Sequence, residues 1–501
     1  MKKLMLSAAA LMCATVMFAQ NDPITDTSGD TSPDYVPSGV APSTATANTG
    51  LSVQNGNGNM VRVRQAGTSQ DVYSHQDDGS GLGGNLATIY QTGAVSAASG
   101  VANKANLMQS GTANQSRTVQ EGDENISITR QGRNGDDGSE SNKAMIRQGT
   151  GQNAEYNYAA IDQDGDRNEA KTQQTYDNSD AWTQQMGEDN KSQISQNAGP
   201  NGTDGHSAMV EQLGERNESS VAQSGLGGRN SSTLSQWGAD NKAGQSQTTD
   251  ALAGSAGNRA GMQQGLVNGP SYGLNPLMTG PSGLFATVGP LDPENIFFGS
   301  SPLDSHNGVG FQIQSGHENA ADMVQVSGLD AETNYGEQLQ SGSGNEAAMV
   351  QSHYFGGDEN YAKQEQAGDN NSAALAQTGS DMKALQTQYG NDNTALTSQR
   401  GQGHKVNVHQ RGDANWATTA QAGLDNVALV VQYDGQSYSV EQNLDLGGIL
   451  NVSAGANQAD IMQQGPAGGN PAIDCYFDPQ LVPPTIDPIP ELVIDPICVG
   501  C

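Results

Sequence analysis

Along most of the chain an Asn is followed six residues later by a Gln, and the alternate positions between them are small or aliphatic. With the Asn as position 0, positions 2, 4 and 6 read Ala105, Leu107 and Gln109 in one unit and Ala144, Ile146 and Gln148 in another. They read Ala347, Met349 and Gln351, then Ala373, Leu375 and Gln377, and Ala428, Val430 and Gln432 in three more. Positions 1, 3 and 5 are mixed and often charged. This two-residue alternation predicts strands with one inward face. A Gly two residues after the Gln, as at Gly67, Gly93, Gly165, Gly214, Gly368 and Gly412, supplies positive φ for a tight turn. There are 24 such Asn and Gln pairs among 42 Asn and 48 Gln, where random placement would give about four, so a repeat architecture is the first fold to consider.

Where the pattern is cleanest, the next Asn follows the Gln by five residues, giving an 11-residue period. It runs through Asn103 with Gln109, Asn114 with Gln120 and Asn125 with Gln131. It returns at Asn334 with Gln340, Asn345 with Gln351, Asn360 with Gln366, Asn371 with Gln377, Asn415 with Gln421 and Asn426 with Gln432. Each unit is a strand plus a turn, and two units make a strand-turn-strand-turn coil of about 22 residues. The predicted fold is all-β: an amyloid-like β-solenoid in two blocks. Roughly 16 coils rising about 4.8 Å each would make a stack on the order of 75 Å long. The inward row of Asn, small residue, aliphatic and Gln is too polar for an ordinary core unless every amide is hydrogen-bonded. Stacked coils meet that demand, because each amide donates to the one above and accepts from the one below. Composition alone, 34% hydrophobic and 5% aromatic, would also suit a disordered chain. The fixed spacing argues for order, since disorder needs no register.

The unit Asn371-Ser-Ala-Ala-Leu-Ala-Gln377-Thr-Gly379 resembles the curlin repeat of bacterial curli subunits, and the resemblance extends over roughly 54–264 and 311–464. It implies a secreted structural subunit that self-associates into extracellular amyloid fibres, curli-like or fimbrial, for cell adhesion and biofilm matrix. It also implies a nucleator or other curlin-like subunit, and a dedicated secretion channel, as partners. The chain is far longer than the usual subunit of that family and has irregular spacers, such as 132–141 and 199–205. Its rank therefore stays open between main subunit, nucleator and related surface protein.

The expected division is a signal peptide at 1–19, a flexible leader at 20–50, a first repeat array at 51–264, a Pro/Gly-rich insert at 265–310, a second array at 311–464 and a Pro-rich tail at 465–501. Lys2 and Lys3 precede an apolar run ending at Phe18, and Ala19 offers a small-residue cleavage point, so export is expected. Neither that run nor any later one reaches the roughly 18 apolar residues of a membrane span. Six prolines from Pro270 to Pro302 predict that the insert loops out of the ladder, either covering a sheet edge or serving as an inert linker. The tail carries Cys475, Cys498 and Cys501, which in an exported protein allow one disulfide with a thiol left over, an intermolecular bond or an attachment point. A tail that docks on, caps or anchors the end of the array stands against a disordered one.

Net charge is −32, and −34 once Lys2 and Lys3 are removed, which argues against nucleic acid as a partner and keeps unassembled chains apart. The seven His show no HExxH spacing, and the Asp-rich turns lack the repeated nonapeptide of a calcium β-roll, so no catalytic residue, cofactor or metal is expected. The alternative to a fibre subunit is a soluble or surface-attached β-solenoid that binds an ion, ice or polysaccharide. Such a face would repeat its outward side chains. Positions 1, 3 and 5 instead differ freely, as Lys104, Asn106 and Met108 in one unit, Ser372, Ala374 and Ala376 in a second, and Trp416, Thr418 and Ala420 in a third.

Overall fold

The computed structural model describes residues 35–44, 46–78, 83–92, 103–132, 139–149, 154–199, 205–226, 228–249, 256–265, 305–327, 333–353, 359–443, 455–464 and 489–494. The expected signal peptide, residues 266–304 of the insert, and Cys475, Cys498 and Cys501 lie outside them. Two parallel sheets face each other, and the chain alternates between them. The first runs from Thr49–Asn55 to Ser437–Gln442 and the second from Met60–Ala66 to Gln458–Gln464, each with fifteen strands on one path. Two-residue strands, Ser305–His306 and Ala154–Glu155, pair alongside. The result is a β-solenoid of fifteen coils, about 67 Å along its axis at about 4.8 Å per step.

Coil length varies more than the 11-residue period suggests. Thr49 pairs with Asp71, 22 residues on, whereas Asp71 pairs with Lys104, 33 residues on. The strands keep register while the turns absorb the difference. The largest jump, 67 residues from Lys242 to Val309, crosses the insert without breaking the stack. The two arrays are therefore coaxial and share one ladder. Val309 and Gly310, expected to lie outside it, pair with Lys242 and Ala243. That strand escaped notice because Gly308 occupies its Asn position.

Most of the described turns take two left-handed residues. One is the Gly two places after the ladder Gln. The other is the residue just before the Asn, for instance Glu124, Arg167, Asp189 and Asp392, all at φ of 55 to 56°. At the Gly the demand is doubled. A Cβ on Gly187, at φ +109°, would sit 2.1 Å from the Gly214 carbonyl oxygen of the next coil.

Between the sheets lies a seam of small and aliphatic side chains, with Ala181, Ile194, Ala208, Leu234, Leu375 and Ala384 fully buried. Its middle is built differently. Met262, Met323 and Met349 fill position 4 of the first sheet, and Gly310 and Gly336 at position 2 of the second make room for them. A Cβ on Gly336 would come within 2.7 Å of Met323 Sδ and 2.9 Å of Met349 Sδ.

Two segments outside the array lie on its flanks. Within the 20–50 leader, the Tyr35 hydroxyl donates to the Asp71 carboxylate, which also accepts the Ser38 N–H at 3.0 Å, and Asn106 donates to the Val36 carbonyl. Tyr35 thus borders an outer cluster of Ile128, Ala160, Trp182 and Met209 on the first sheet, so this part of the leader is seated rather than loose. In the tail, Leu492 donates its N–H to Glu169 at 2.8 Å and Glu491 pairs with Lys143 at 2.7 Å. These tail residues rest on the outer face of the second sheet, because their polar partners are outward side chains.

Gly336→Val should cost about 1–3 kcal/mol of unfolding free energy by crowding the methionine column. Chemical denaturation measures this, and Met323→Ala in the same chain should return part of the loss.

Candidate functional site

The chemistry of this molecule is concentrated in its inward amides. All sixteen predicted ladder residues are at most 2% exposed: Asn103 and Gln109, Asn114 and Gln120, Asn125 and Gln131, Asn345 and Gln351, Asn360 and Gln366, Asn371 and Gln377, Asn415 and Gln421, Asn426 and Gln432. In each sheet position 6 is Gln in all fifteen coils. Up to the last coil, every such Gln donates from Nε2 to the Gln Oε1 of the following coil. Gln109 bonds Gln131 at 2.8 Å and Gln377 bonds Gln399 at 2.9 Å. Gln366 accepts from Gln340 and donates to Gln388, both at 2.9 Å, and Gln421 accepts from Gln399 at 3.0 Å and donates to Gln442 at 2.7 Å. The ladder crosses the insert unchanged, from Gln247 to Gln314 and from Gln264 to Gln325, both at 2.8 Å. The second Nε2 hydrogen goes to backbone carbonyls, for Gln120 those of Lys104 and Asn125, each at 3.0 Å.

Asn has a different task. Its Oδ1 accepts the backbone N–H, and in many coils also the Nδ2, of the next coil's Asn, so this column donates back toward the first coil, while its Nδ2 also holds a turn carbonyl of the next coil, often that of the turn Gly. Asn371 accepts from Asn393 N at 3.1 Å and donates to Gly390 O at 2.7 Å. Gln therefore staples the strands and Asn the turns.

Of the 24 pairs at the six-residue spacing, Asn178 with Gln184 is out of register, since Ser179 and Gln185 occupy the ladder there. Seven coil halves keep the Gln without an Asn, with Gln70, Ser179, His206, Gly308, Met382, His404 or Gln436 at position 0. The unbroken Gln spacing was the signal that could have found them. His206 and His404 imitate Asn. Nδ1 of each accepts the backbone N–H of the next coil, from Asn230 at 3.3 Å and Asn426 at 3.2 Å. Nε2 lies 3.2 Å from Asn197 O and 3.0 Å from Arg400 O. Backbone N–H can only donate and C=O only accept, so both rings are fixed as neutral, protonated on Nε2. Burial pushes the His206 pKa down to about 4 and that of His404 down as well.

A third amide ladder occupies position 4 of the second sheet, where an aliphatic residue was expected. It runs Gln245, Gln312, Gln338, Gln364 and Gln386, with bonds of 2.8 to 2.9 Å. Hydroxyls close both ends: Ser232 donates to Gln245 Oε1, and Gln386 Nε2 donates to Thr397 Oγ1 at 2.9 Å.

Charge pairs count for less. Arg167 reaches Asp189 and Arg216 reaches Asp240, both at 2.8 Å, but these side chains are about half exposed and screened by water, so each pair contributes little. Among the described residues no three or more His, Cys, Asp or Glu side chains gather to hold a metal. The Arg411-Gly412-Asp413 tripeptide is a turn, in which Asp413 Oδ1 accepts the Asn391 N–H at 2.9 Å.

Gln120→Leu and Gln377→Leu should each lower stability by about 1–3 kcal/mol per stranded neighbouring amide in denaturant titrations. Ser372→Ala, on the outward face, should change it much less; equal losses would refute the inward and outward assignment. For the histidines the folded state excludes the charged ring, whereas the unfolded chain protonates near pH 6.5. Their stabilisation is therefore complete above that pH and is lost as pH falls below it, for His206 down to about 4. A His206→Asn, His404→Asn chain should show a flatter stability profile across this window, measured by thermal unfolding.

Compared with known protein families and with curated proteins, the chain matches none.

Proposed function

We propose that this chain is an exported structural subunit that assembles end to end into extracellular fibres serving adhesion and matrix cohesion, the role implied by its resemblance to the curlin repeat. The observation that carries the reading is the state of the two end coils. Inward columns that are buried through the middle of the stack emerge at the first coil, where Ser52, Gln54 and Val63 are exposed. Among the described residues the Oε1 atoms of Gln54 and Gln65 meet no donor, and at the far end Gln442 and Gln463 have no following coil to donate to. A parallel sheet edge left open in this way is a template for another coil of the same repeat.

The charge of −34 on the exported chain sets the rate. It separates monomers at low salt and is screened as the Debye length contracts from about 30 Å at 0.01 M to about 8 Å at 0.15 M ionic strength. A nucleator, a second curlin-like subunit and a secretion channel are the partners this role implies.

The purified chain without residues 1–19 should form fibres whose diffraction shows a repeat near 4.8 Å along the axis. Preformed fibre should shorten the lag, and salt or divalent cation should speed growth. A chain that stays monomeric in sedimentation at high concentration and raised salt would favour the soluble binding solenoid instead.

A further inference from the structure

The internal ladder and the two long ladders end in different ways. Where Gln245 begins and Gln386 ends the short one, hydroxyls of this chain close it. At Gln54, Gln65, Gln442 and Gln463 no such hydroxyl is placed among the described residues, although these ladders run the length of the stack. All bonds in both point the same way, Nε2 of one coil to Oε1 of the next. In these two ladders the first coil therefore offers two carbonyl oxygens and the last coil two N–H groups, while the Asn column runs the other way, Nδ2 of one coil donating to Oδ1 of the coil before it. Like ends would set oxygen against oxygen or N–H against N–H.

Shape and charge follow the same polarity. Position 2 of the first sheet is Ala, Ser or Val in the thirteen inner coils, but Gly50 in the first and Tyr438 in the last. Tyr438 is 39% exposed at its end, and Gly50 leaves its own end without a side chain in that column. The charged residues on the strands of the first coil are Arg62 and Arg64; those on the strands of the last are Glu441 and Asp460. Arg62 and Asp460 both stand at position 3 of the second sheet, so a continued stack brings them into one column, about 4.8 Å apart. Two first coils would instead bring four arginines together, and two last coils four carboxylates.

We propose that the ends recognise a second copy of this chain selectively and head to tail, the last coil of one molecule docking on the first coil of the next, with Tyr438 over Gly50 and Asp460 against Arg62. This rests on the assembly reading above and adds its direction and its code. The fibre is polar. Growth by any other repeat protein is disfavoured unless its end coils carry the same small residue and the same charge.

The test uses the chain without residues 1–19 in the salt conditions that assemble the unchanged protein, with sedimentation and electron microscopy as readouts. Arg62→Asp alone and Asp460→Arg alone should each elongate about tenfold or more slowly, since every junction then joins like charges. An equimolar mixture of the two should recover near-normal growth, because each variant's altered end matches the other's, and the doubly exchanged chain should recover on its own. Recovery also certifies that the single variants are folded. Gly50→Phe should block growth, and Tyr438→Ala in the same chain should relieve it. If the unchanged chain forms fibres but the single variants grow at its rate, or the mixture fails to recover, end matching is wrong and the assembly reading stands. If the unchanged chain forms no fibres, both fall.

Discussion

A buried primary amide carries two donors and an acceptor, and it is costly to leave any of them unmet. A stack of identical amides satisfies all three with the least demand on the rest of the chain. Gln120, for example, passes one hydrogen to Gln148 at 2.9 Å, gives the other to backbone carbonyls of the opposite strand and turn, and accepts from Gln91 at 2.9 Å. Everything else in the fold depends on keeping that column in line. Turns can grow, even by the residues between Gln264 and Val309, because the strands on either side are held by their own columns rather than by the length of chain between them.

The same bond gives the molecule direction. A peptide ladder in a parallel sheet donates both ways, but a side-chain amide ladder donates one way only. The two Gln ladders leave free acceptors at the first coil and free donors at the last, the Asn column pointing the opposite way, and the end residues differ as well: Gly50, Arg62 and Arg64 at one, Tyr438, Glu441 and Asp460 at the other. The internal Gln245 to Gln386 ladder shows what the chain does when a column must stop: it supplies Ser232 and Thr397.

Position 0 tolerates more variety than position 6. Asn, Ser, His, Gln, Gly and Met all occur there, since the slot's backbone N–H can be held by the previous coil whatever its own side chain, as Met382 N is by Asn360 at 3.1 Å. Gln at position 6 has no such substitute, because only a side chain of its length reaches both the next amide and the backbone across the seam. The histidines are the one replacement that carries a proton equilibrium into the core.

By itself the sequence determined the strand period, the inward rows, the turn glycines and the pairing of Asn with Gln, because each of these is a contact repeated in every coil and so leaves a periodic trace. Gln366 and Gln421 could be placed in the ladder from spacing alone for that reason. The sequence did not determine what occurs once. That the arrays continue through 266–304 as one stack was decided by the pairing of Lys242 with Val309, hidden behind Gly308. That His206 and His404 serve as amides, that Met323 needs Gly310 and Gly336 opposite it, and that Tyr35 and Leu492 lie on the flanks are single meetings of residues far apart in the chain. A periodic pattern cannot encode them, because the geometry that brings them together exists only after the coils have stacked.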